Sequence, residues 1–162
     1  MPTVVRTWAP RGRTPHLAHR SAWPKLSAIA AISVSPQRRR LSHYLLLWHG
    51  TVDAEGVIHF LRHLLRQRRE PMIVVWDNLP GHRSASVRGF AARHRRLHLE
   101  ALASYAPELN PVEGLWAHFK AQTLANACPP DVDELIERVG EANANVGANR
   151  LDGFIRRTGL TL

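Results

Sequence analysis

The chain has 162 residues, 44% of them hydrophobic and five of them tryptophan, which suffices for one domain with a sizeable core and excludes a disordered tail. Its single cysteine, Cys128, excludes an internal disulfide framework and a multi-cysteine zinc site within one chain, and suits a reducing cytosol. The formal charge of +9 indicates a polyanionic partner, and no run approaches the roughly 18 apolar residues of a membrane span, so no membrane partner is expected.

The basic residues are concentrated in the front half of the chain. Residues 1–96 contain 17 Lys or Arg against four acids, whereas residues 108–141 contain seven acids and only Lys120 and Arg138. A basic region of this size attracts polyanions because neutralised phosphates release counterions, and nucleic acid is the natural candidate. The alternative is a generally arginine-rich composition, since only two of the 22 basic residues are lysine.

Two β-strands are predicted in the first fifty residues. The runs "KLSAIAAISVS" and "RLSHYLLLWHG" are apolar, and the short connection "PQRRR" between them predicts an antiparallel hairpin. Before them, "RTWAPRGRTPHL" contains a Pro-Arg-Gly turn. Four tryptophans are expected to be core residues rather than base-stacking residues, namely Trp8, Trp23, Trp48 and Trp116.

A helix and then a buried strand are predicted after the hairpin. Asp53 is expected to cap a helix that runs to about Arg69 and has one apolar stripe. Met72–Trp76 is a short, continuously apolar run, as in strands that are covered on both faces. Asp77 follows at once, and the carboxyl ends of central strands are where open α/β sheets place their chemistry.

The rest of the chain continues the alternation. A helix over 84–94 is predicted, then the strand "LHLEAL", then a helix that Asn110 caps and that ends near Ala125. Pro111 suits the first helical position, and Glu113 falls at the third, where a carboxylate can reach back to the cap. "PPDVDELIERVGEANANV" predicts a further helix before "LDGFIRRTGL" closes the chain. The order β-β-α-β-α-β-α-α indicates an α/β fold with a mixed sheet and flanking helices.

Two carboxylates carry the predicted chemistry. Asp77 and Glu113 are separated by one helix and one strand, so the strand end and the helix start can meet at one edge of the sheet. Such carboxylates repel each other unless a cation lies between them, and carboxylate and water are the ligands that Mg²⁺ and Mn²⁺ prefer. Two such ions about 3.5–4 Å apart can activate the attacking oxygen and stabilise the leaving oxygen in phosphodiester chemistry. The simpler interpretation is that Glu113 only starts its helix.

Together these motifs resemble a known family. "VVWDN" followed by His82, and then "YAPELNPVEGLWAHFK", is similar to the catalytic domain of mariner-like insertion-sequence transposases, members of the DDE superfamily with an RNase H-like fold. The family pattern is Asp-Asn at a strand end, a nearby histidine, and Pro-x-Leu-Asn-Pro-x-Glu-x-x-Trp opening a helix. The resemblance extends back through "RTWAPRGRTP" and implies one catalytic domain over residues 1–162.

The resemblance also implies roles for individual residues. By position, Asp77 corresponds to the second metal-binding acid and Glu113 to the third. Asn78, His82 and Asn110 correspond to residues that support the site. The implied cofactor is Mg²⁺ or Mn²⁺, and the implied reaction is hydrolysis of DNA at the ends of an insertion sequence followed by strand transfer.

The sequence departs from the family pattern at its start. The family's first catalytic aspartate lies on a strand upstream of the Trp-x-Pro-x-Gly segment, whereas Met1 is seven residues before Trp8 and no acid precedes Asp53. Asp53 is a poor substitute because it is expected to cap a helix. We therefore expect the first strand, its acid and the upstream helix-turn-helix region to be absent, which leaves an unpaired sheet edge, poor solubility or self-association, and an incomplete two-ion site.

Three functions are compatible with this departure. The first is a transposase-type endonuclease domain, inactive by itself, that acts on transposon ends and target DNA. The second is a non-catalytic DNA-binding remnant or regulator that associates with intact transposase, and the third is an enzyme completed by frameshifting with an upstream frame. For each of them a cytoplasmic, nucleoid-associated location in a bacterium is expected.

Short basic runs are candidate phosphate contacts because they precede the strands that lead to the predicted site. The alternative is that they are solvated helix ends whose charge complements the helix dipole. Lys120 lies two turns after Glu113 on the same helix and is a further candidate. The arginines concerned are Arg66, Arg68, Arg69, Arg93, Arg95 and Arg96.

Overall fold

The computed structural model describes residues 4–16, 25–37, 40–104, 106–122 and 124–160. These residues form four strands, β1 (Leu26–Val34), β2 (Leu41–His49), β3 (Met72–Trp76) and β4 (Leu97–Ala101). They also form five helices, α1 (Ala54–Gln67), α2 (Ala85–Ala92), α3 (Pro111–Ala121), α4 (Val132–Ala144) and α5 (Ala148–Arg157), with a short 3₁₀ turn over Pro107–Leu109. The predicted α/β class is confirmed, and the helices lie where they were predicted apart from α5, which the predicted order lacked.

The predicted hairpin is confirmed and lies between two layers of helices. β1 and β2 pair antiparallel, with Leu26 opposite His49 and Val34 opposite Leu41. Successive side chains of a strand point to opposite faces, so Ile29 packs with the α1 cluster while its neighbour Ala30 packs with α3 and α5. Both faces of this hairpin are therefore part of the core.

Helix α1 supplies most of the core cluster on one face of the hairpin. Its start is fixed by Asp53, whose Oδ1 accepts a hydrogen bond from the Gly56 amide at 3.0 Å, as the sequence predicted. The predicted role of Asp53 as a helix cap is therefore confirmed. The buried stripe of α1 consists of Val57, Phe60, Leu61, Leu64 and Leu65.

The remaining strands form a second sheet on the same helix. β3 and β4 pair in parallel, with Met72 opposite Leu97 and Trp76 opposite Ala101. Within the described ranges, strand pairing does not connect this sheet to the hairpin, although both pack on α1. Whether a further strand completes this arrangement stays a prediction. The self-association expected from unpaired edges stays a prediction.

The prediction that β3 is covered on both faces is wrong. Met72, Val74 and Trp76 face the α1 cluster, but Ile73 is 68% exposed and Val75 is 55% exposed. Helices α1 and α2 supply the cover on one face, and no described residue buries the other. The continuously apolar sequence of β3 is therefore found in a strand with only one covered face.

A second cluster lies on the opposite face of the hairpin. It consists of Leu115, Phe119, Ala142, Val146, Leu151 and Phe154, from α3, α4, α5 and the α4–α5 turn. Helix α5 starts at Gly147 without a side-chain cap, so the usual start signal is absent and packing stabilises it instead. Among the described residues, none of the helices has the length and apolar content needed to cross a bilayer.

The tryptophan prediction is wrong for Trp8, which is fully exposed. Trp116 is half-buried and packs against the second cluster, as expected, and Trp48 is half-buried next to His59 of α1. Trp23 lies outside the described residues. Trp8 is therefore not part of the described core.

Candidate metal-binding and DNA-binding site

The Asp77 carboxylate lies directly after β3 and is held by His82. The His82 Nδ1 lies 2.7 Å from the Asp77 Oδ1 and 3.1 Å from the Asp77 carbonyl oxygen. Both oxygens are acceptors, so Nδ1 carries the proton and donates it. The Leu79 amide also donates to Oδ1, at 3.2 Å, whereas no described residue donates to Oδ2. One carboxylate oxygen thus fixes the side chain, and the other is available to a ligand.

The imidazole of His82 is itself fixed by the strand. It stacks on the Trp76 indole with ring centroids 4.4 Å apart and planes 3° from parallel, and its side chain is 16% exposed. A tight turn brings it back over the strand, because the His82 amide donates to the Leu79 carbonyl at 3.0 Å. Sequence reasoning missed Trp76 as a supporting residue, for which its place directly before Asp77 was the only signal.

Asn78 ties the Asp77 loop to the segment that leads into α3. Its side-chain amide donates to the Leu102 carbonyl at 3.0 Å and to the Ser104 hydroxyl at 3.4 Å. The Leu102 amide in turn donates to the Trp76 carbonyl at 2.7 Å. The ends of β3 and β4 are therefore joined immediately before the chain turns towards Glu113.

Glu113 lies in the first turn of α3 and is exposed. The Asn110 side chain accepts from the Val112 amide at 3.1 Å, and Pro111 occupies the first helical position, so the predicted start of the helix is confirmed. The predicted reach of the Glu113 carboxylate back to the cap does not occur among the described hydrogen bonds. The carboxylate is consequently available to a ligand.

Asp77 and Glu113 fit a hard divalent cation in donor type. Their carboxylate oxygens are the ligands that Mg²⁺ and Mn²⁺ prefer, and neither carboxylate is neutralised by a described arginine or lysine. The part of the chain that the structure describes contains no group of three or more His, Cys, Asp or Glu that could hold a metal ion. Among the residues that the structure describes, no third side chain of this kind therefore accompanies these two acids.

Two of the arginines predicted as phosphate contacts are engaged in the fold. Arg68 donates to the Tyr44 hydroxyl at 2.7 Å, and its Nη2 donates to the hydroxyls of Ser33 and Ser42 at 3.1 and 3.0 Å. Arg96 donates to the carbonyls of Arg68 and Leu65, at 2.9 and 3.4 Å, and so caps the end of α1. Among the described residues, the candidates with exposed side chains and no hydrogen-bonding partner are Arg66, Arg69, Arg93, Arg95 and Lys120.

Arg68→Ala is expected to lower the free energy of unfolding by about 1–2 kcal/mol, because it removes three hydrogen bonds that hold α1 to the hairpin. Arg69→Ala is the matched control, since Arg69 is the exposed neighbour and should change stability by less than about 0.5 kcal/mol. Urea denaturation monitored by circular dichroism measures both. Equal stability of the two variants would contradict a structural role for Arg68.

Comparison with known proteins identifies the same family as the motifs. The family model for the DDE superfamily endonuclease matches residues 2–136. No curated protein matches the chain at a significant level. The family match includes Asp77, Glu113 and the residues that position them.

Solved structures with a similar fold are transposases. The Mos1 transposase paired-end complex with left transposon end is 18% identical at a TM-score of 0.69, over 97% of this chain and 48% of that one. The Mos1 strand transfer complex is 18% identical at a TM-score of 0.63, over 98% of this chain and 47% of that one. The catalytic domain of Mos1 mariner transposase is 17% identical at a TM-score of 0.55, over 85% of this chain and 83% of that one. These likenesses confirm the RNase H-like α/β fold, and the chain spans about half the length of the first two proteins.

Proposed function

Because the chain belongs to the DDE superfamily of endonucleases, we propose that it is part of an insertion-sequence transposase that cleaves DNA at transposon ends and transfers the strand to target DNA. The observation that carries this proposal is the Asp77 carboxylate, fixed by His82 at the carboxyl end of β3 and tied through Asn78 to the segment that precedes Glu113. The similarity of fold to transposases in complex with DNA supports it.

In this function Asp77 and Glu113 would hold Mg²⁺ or Mn²⁺. The bound ion would polarise the scissile phosphate and lower the pKa of an attacking water. His82 keeps the Asp77 carboxylate in one orientation, and Asn110 fixes the start of the helix that carries Glu113. Exposed basic residues such as Arg69 and Lys120 would bind the DNA backbone.

We further propose that residues 1–162 do not cleave DNA by themselves. Two carboxylates can hold one ion weakly, but the two-ion arrangement for in-line attack needs a further acid. Intact transposase, or a second polypeptide segment that supplies this acid, is the partner that the proposal requires. A cytoplasmic, nucleoid-associated location in a bacterium is part of the same proposal.

The metal site is tested by titrating the purified chain with Mn²⁺ and following free Mn²⁺ by electron paramagnetic resonance. Binding is expected for the parent chain, and Asp77→Asn and Glu113→Gln should abolish it, whereas His82→Ala should weaken it by about tenfold because it removes the orienting partner. Glu108→Gln changes an exposed acid three residues before the helix; it is the matched control and should bind as the parent does. Unchanged binding by Asp77→Asn would refute the site.

Cleavage is measured separately with transposon-end DNA and Mn²⁺. The parent chain should leave the DNA intact, and nicking that disappears in Asp77→Asn would refute the statement that this chain is inactive by itself. Such nicking would not contradict the assignment of Asp77 and Glu113 as metal ligands.

A second candidate function is a non-catalytic DNA-binding remnant or regulator. The observation in its favour is the charge, with 17 Lys or Arg against four acids in residues 1–96. This candidate predicts salt-sensitive DNA binding in EDTA together with no Mn²⁺ binding that depends on Asp77. The Mn²⁺ titration therefore discriminates between the two functions.

A further inference from the structure

The segment 4–16 is an exposed basic arm. Every residue in it is exposed, and Trp8 is exposed over its whole surface. Arg6, Arg11 and Arg13 lie on either side of this indole, and the segment contains no acid. Tryptophan is highly buried on average, so an indole entirely in water within a positively charged segment indicates a binding role.

The base of this arm is fixed to the domain. The Val5 amide donates to the Asn126 Oδ1 at 2.9 Å, and the Asn126 Nδ2 donates to the Val5 carbonyl at 3.0 Å. Asn126 lies in the turn after α3 and has a φ of 54°, a left-handed conformation that asparagine tolerates better than most residues. These two hydrogen bonds join residues 121 positions apart, so the arm leaves the domain next to the end of the helix that carries Glu113.

The arm also has a defined turn beyond its tryptophan. The Arg13 amide donates to the Pro10 carbonyl at 3.0 Å, and Gly12 has a φ of 79°, which favours glycine. The chain therefore reverses just after Trp8, with Arg11 inside the turn and Arg13 at its end. Both ends of the short stretch that contains Trp8 are thus held by hydrogen bonds.

We propose that this arm binds unpaired nucleotides of DNA, with Trp8 stacked on a base and Arg6, Arg11 and Arg13 on phosphates. Single-stranded nucleic acid is bound by this combination of an exposed aromatic ring and positive charge, and stacking tolerates any base because every base has a flat face. In a regular duplex the bases are stacked on each other, so the indole would find no partner there. The inference rests on the proposed function only in taking DNA as the substrate.

The test is a fluorescence-anisotropy titration in EDTA with two fluorescein-labelled probes, an oligothymidylate of about 15 nucleotides and a blunt-ended duplex of about 15 base pairs. Trp8→Ala should weaken binding to oligothymidylate by about tenfold, whereas Trp8→Phe should stay close to the parent chain because it keeps an aromatic face. Val4→Ala is the control, since Val4 is 72% exposed on the same arm but is not aromatic. Duplex binding by Trp8→Ala should stay within about twofold of the parent.

A second variant tests the fixed base of the arm. Asn126→Gly tolerates the left-handed backbone but removes both hydrogen bonds to Val5, so we expect several-fold weaker binding to oligothymidylate with unchanged duplex binding. Circular dichroism checks that each variant is folded. Parent-like oligothymidylate binding by Trp8→Ala would overturn the inference, as would an equal loss on the duplex or a change only in self-association. Metal is absent from this assay, so failure of the Mn²⁺ site would not affect it.

Discussion

Leu61→Ala is expected to lower the free energy of unfolding by about 2–5 kcal/mol, the largest effect of any change considered for this chain. Leu61 is 1% exposed in the middle of α1, where the cluster joins the hairpin to the β3–β4 sheet. No strand pairing connects the two sheets within the described residues, so packing on α1 is what holds them together. A cavity at this position therefore weakens the contact between the sheets as well as the helix.

Urea denaturation monitored by circular dichroism measures this loss. Gln67→Ala is the matched control, because Gln67 is exposed at the end of the same helix and should change stability by less than about 0.5 kcal/mol. A small domain is stable by only about 5–15 kcal/mol, so the Leu61→Ala variant should be marginally folded at best. A loss below about 1 kcal/mol would show that α1 is not the main connection between the two sheets.

Gly114→Ala is expected to lower the free energy of unfolding by about 1–3 kcal/mol. A Cβ atom at Gly114 would lie 2.8 Å from the Phe154 Cδ1 and 3.1 Å from its Cβ, both closer than ordinary contact. Because the Cβ of Phe154 is also too close, rotation of the ring cannot relieve the overlap. Helix propensity favours alanine over glycine by about 1 kcal/mol, but the clash between α3 and α5 is the larger effect.

The control for this substitution is Gly140→Ala on α4. A Cβ atom at Gly140 meets nothing within 4 Å, so this variant should be more stable than the parent by about 0.5–1 kcal/mol. Thermal denaturation of both variants gives opposite shifts if the packing of α3 on α5 decides the result. Stabilisation by Gly114→Ala would show that α5 moves freely relative to the helix that carries Glu113.

Local sequence signals predicted the elements that position the site. Asp53 and Asn110 cap their helices as expected, because a short polar side chain satisfies amide groups of the first helical turn without any help from tertiary contacts. Two apolar runs separated by a short basic connection gave the hairpin. The position of Asp77 directly after β3 was also predicted, because it depends only on where the apolar run Met72–Trp76 ends. The roles of Asp77 and Glu113 as metal ligands stay predictions.

Long-range contacts could not be read from the same signals. The pairing of Asn126 with Val5 and the three bonds of Arg68 join residues far apart in the chain, and nothing in their neighbouring residues indicates the partner. Helix α5 has no capping side chain, so only its packing against α3 reveals why it forms. Sequence reasoning therefore offered only a phosphate contact or a solvated helix end for Arg68, and it left α5 unassigned.

The sequence by itself thus determined the order of the elements, the starts of the capped helices, the excess of positive charge in the front half and the family. Only the tertiary structure decided which faces are covered. Trp8 and Ile73 are as apolar as core residues, yet both are exposed because no described element packs against them. Hydrophobicity states what a side chain prefers, whereas burial depends on which distant elements reach it, and that is a property of the assembled fold.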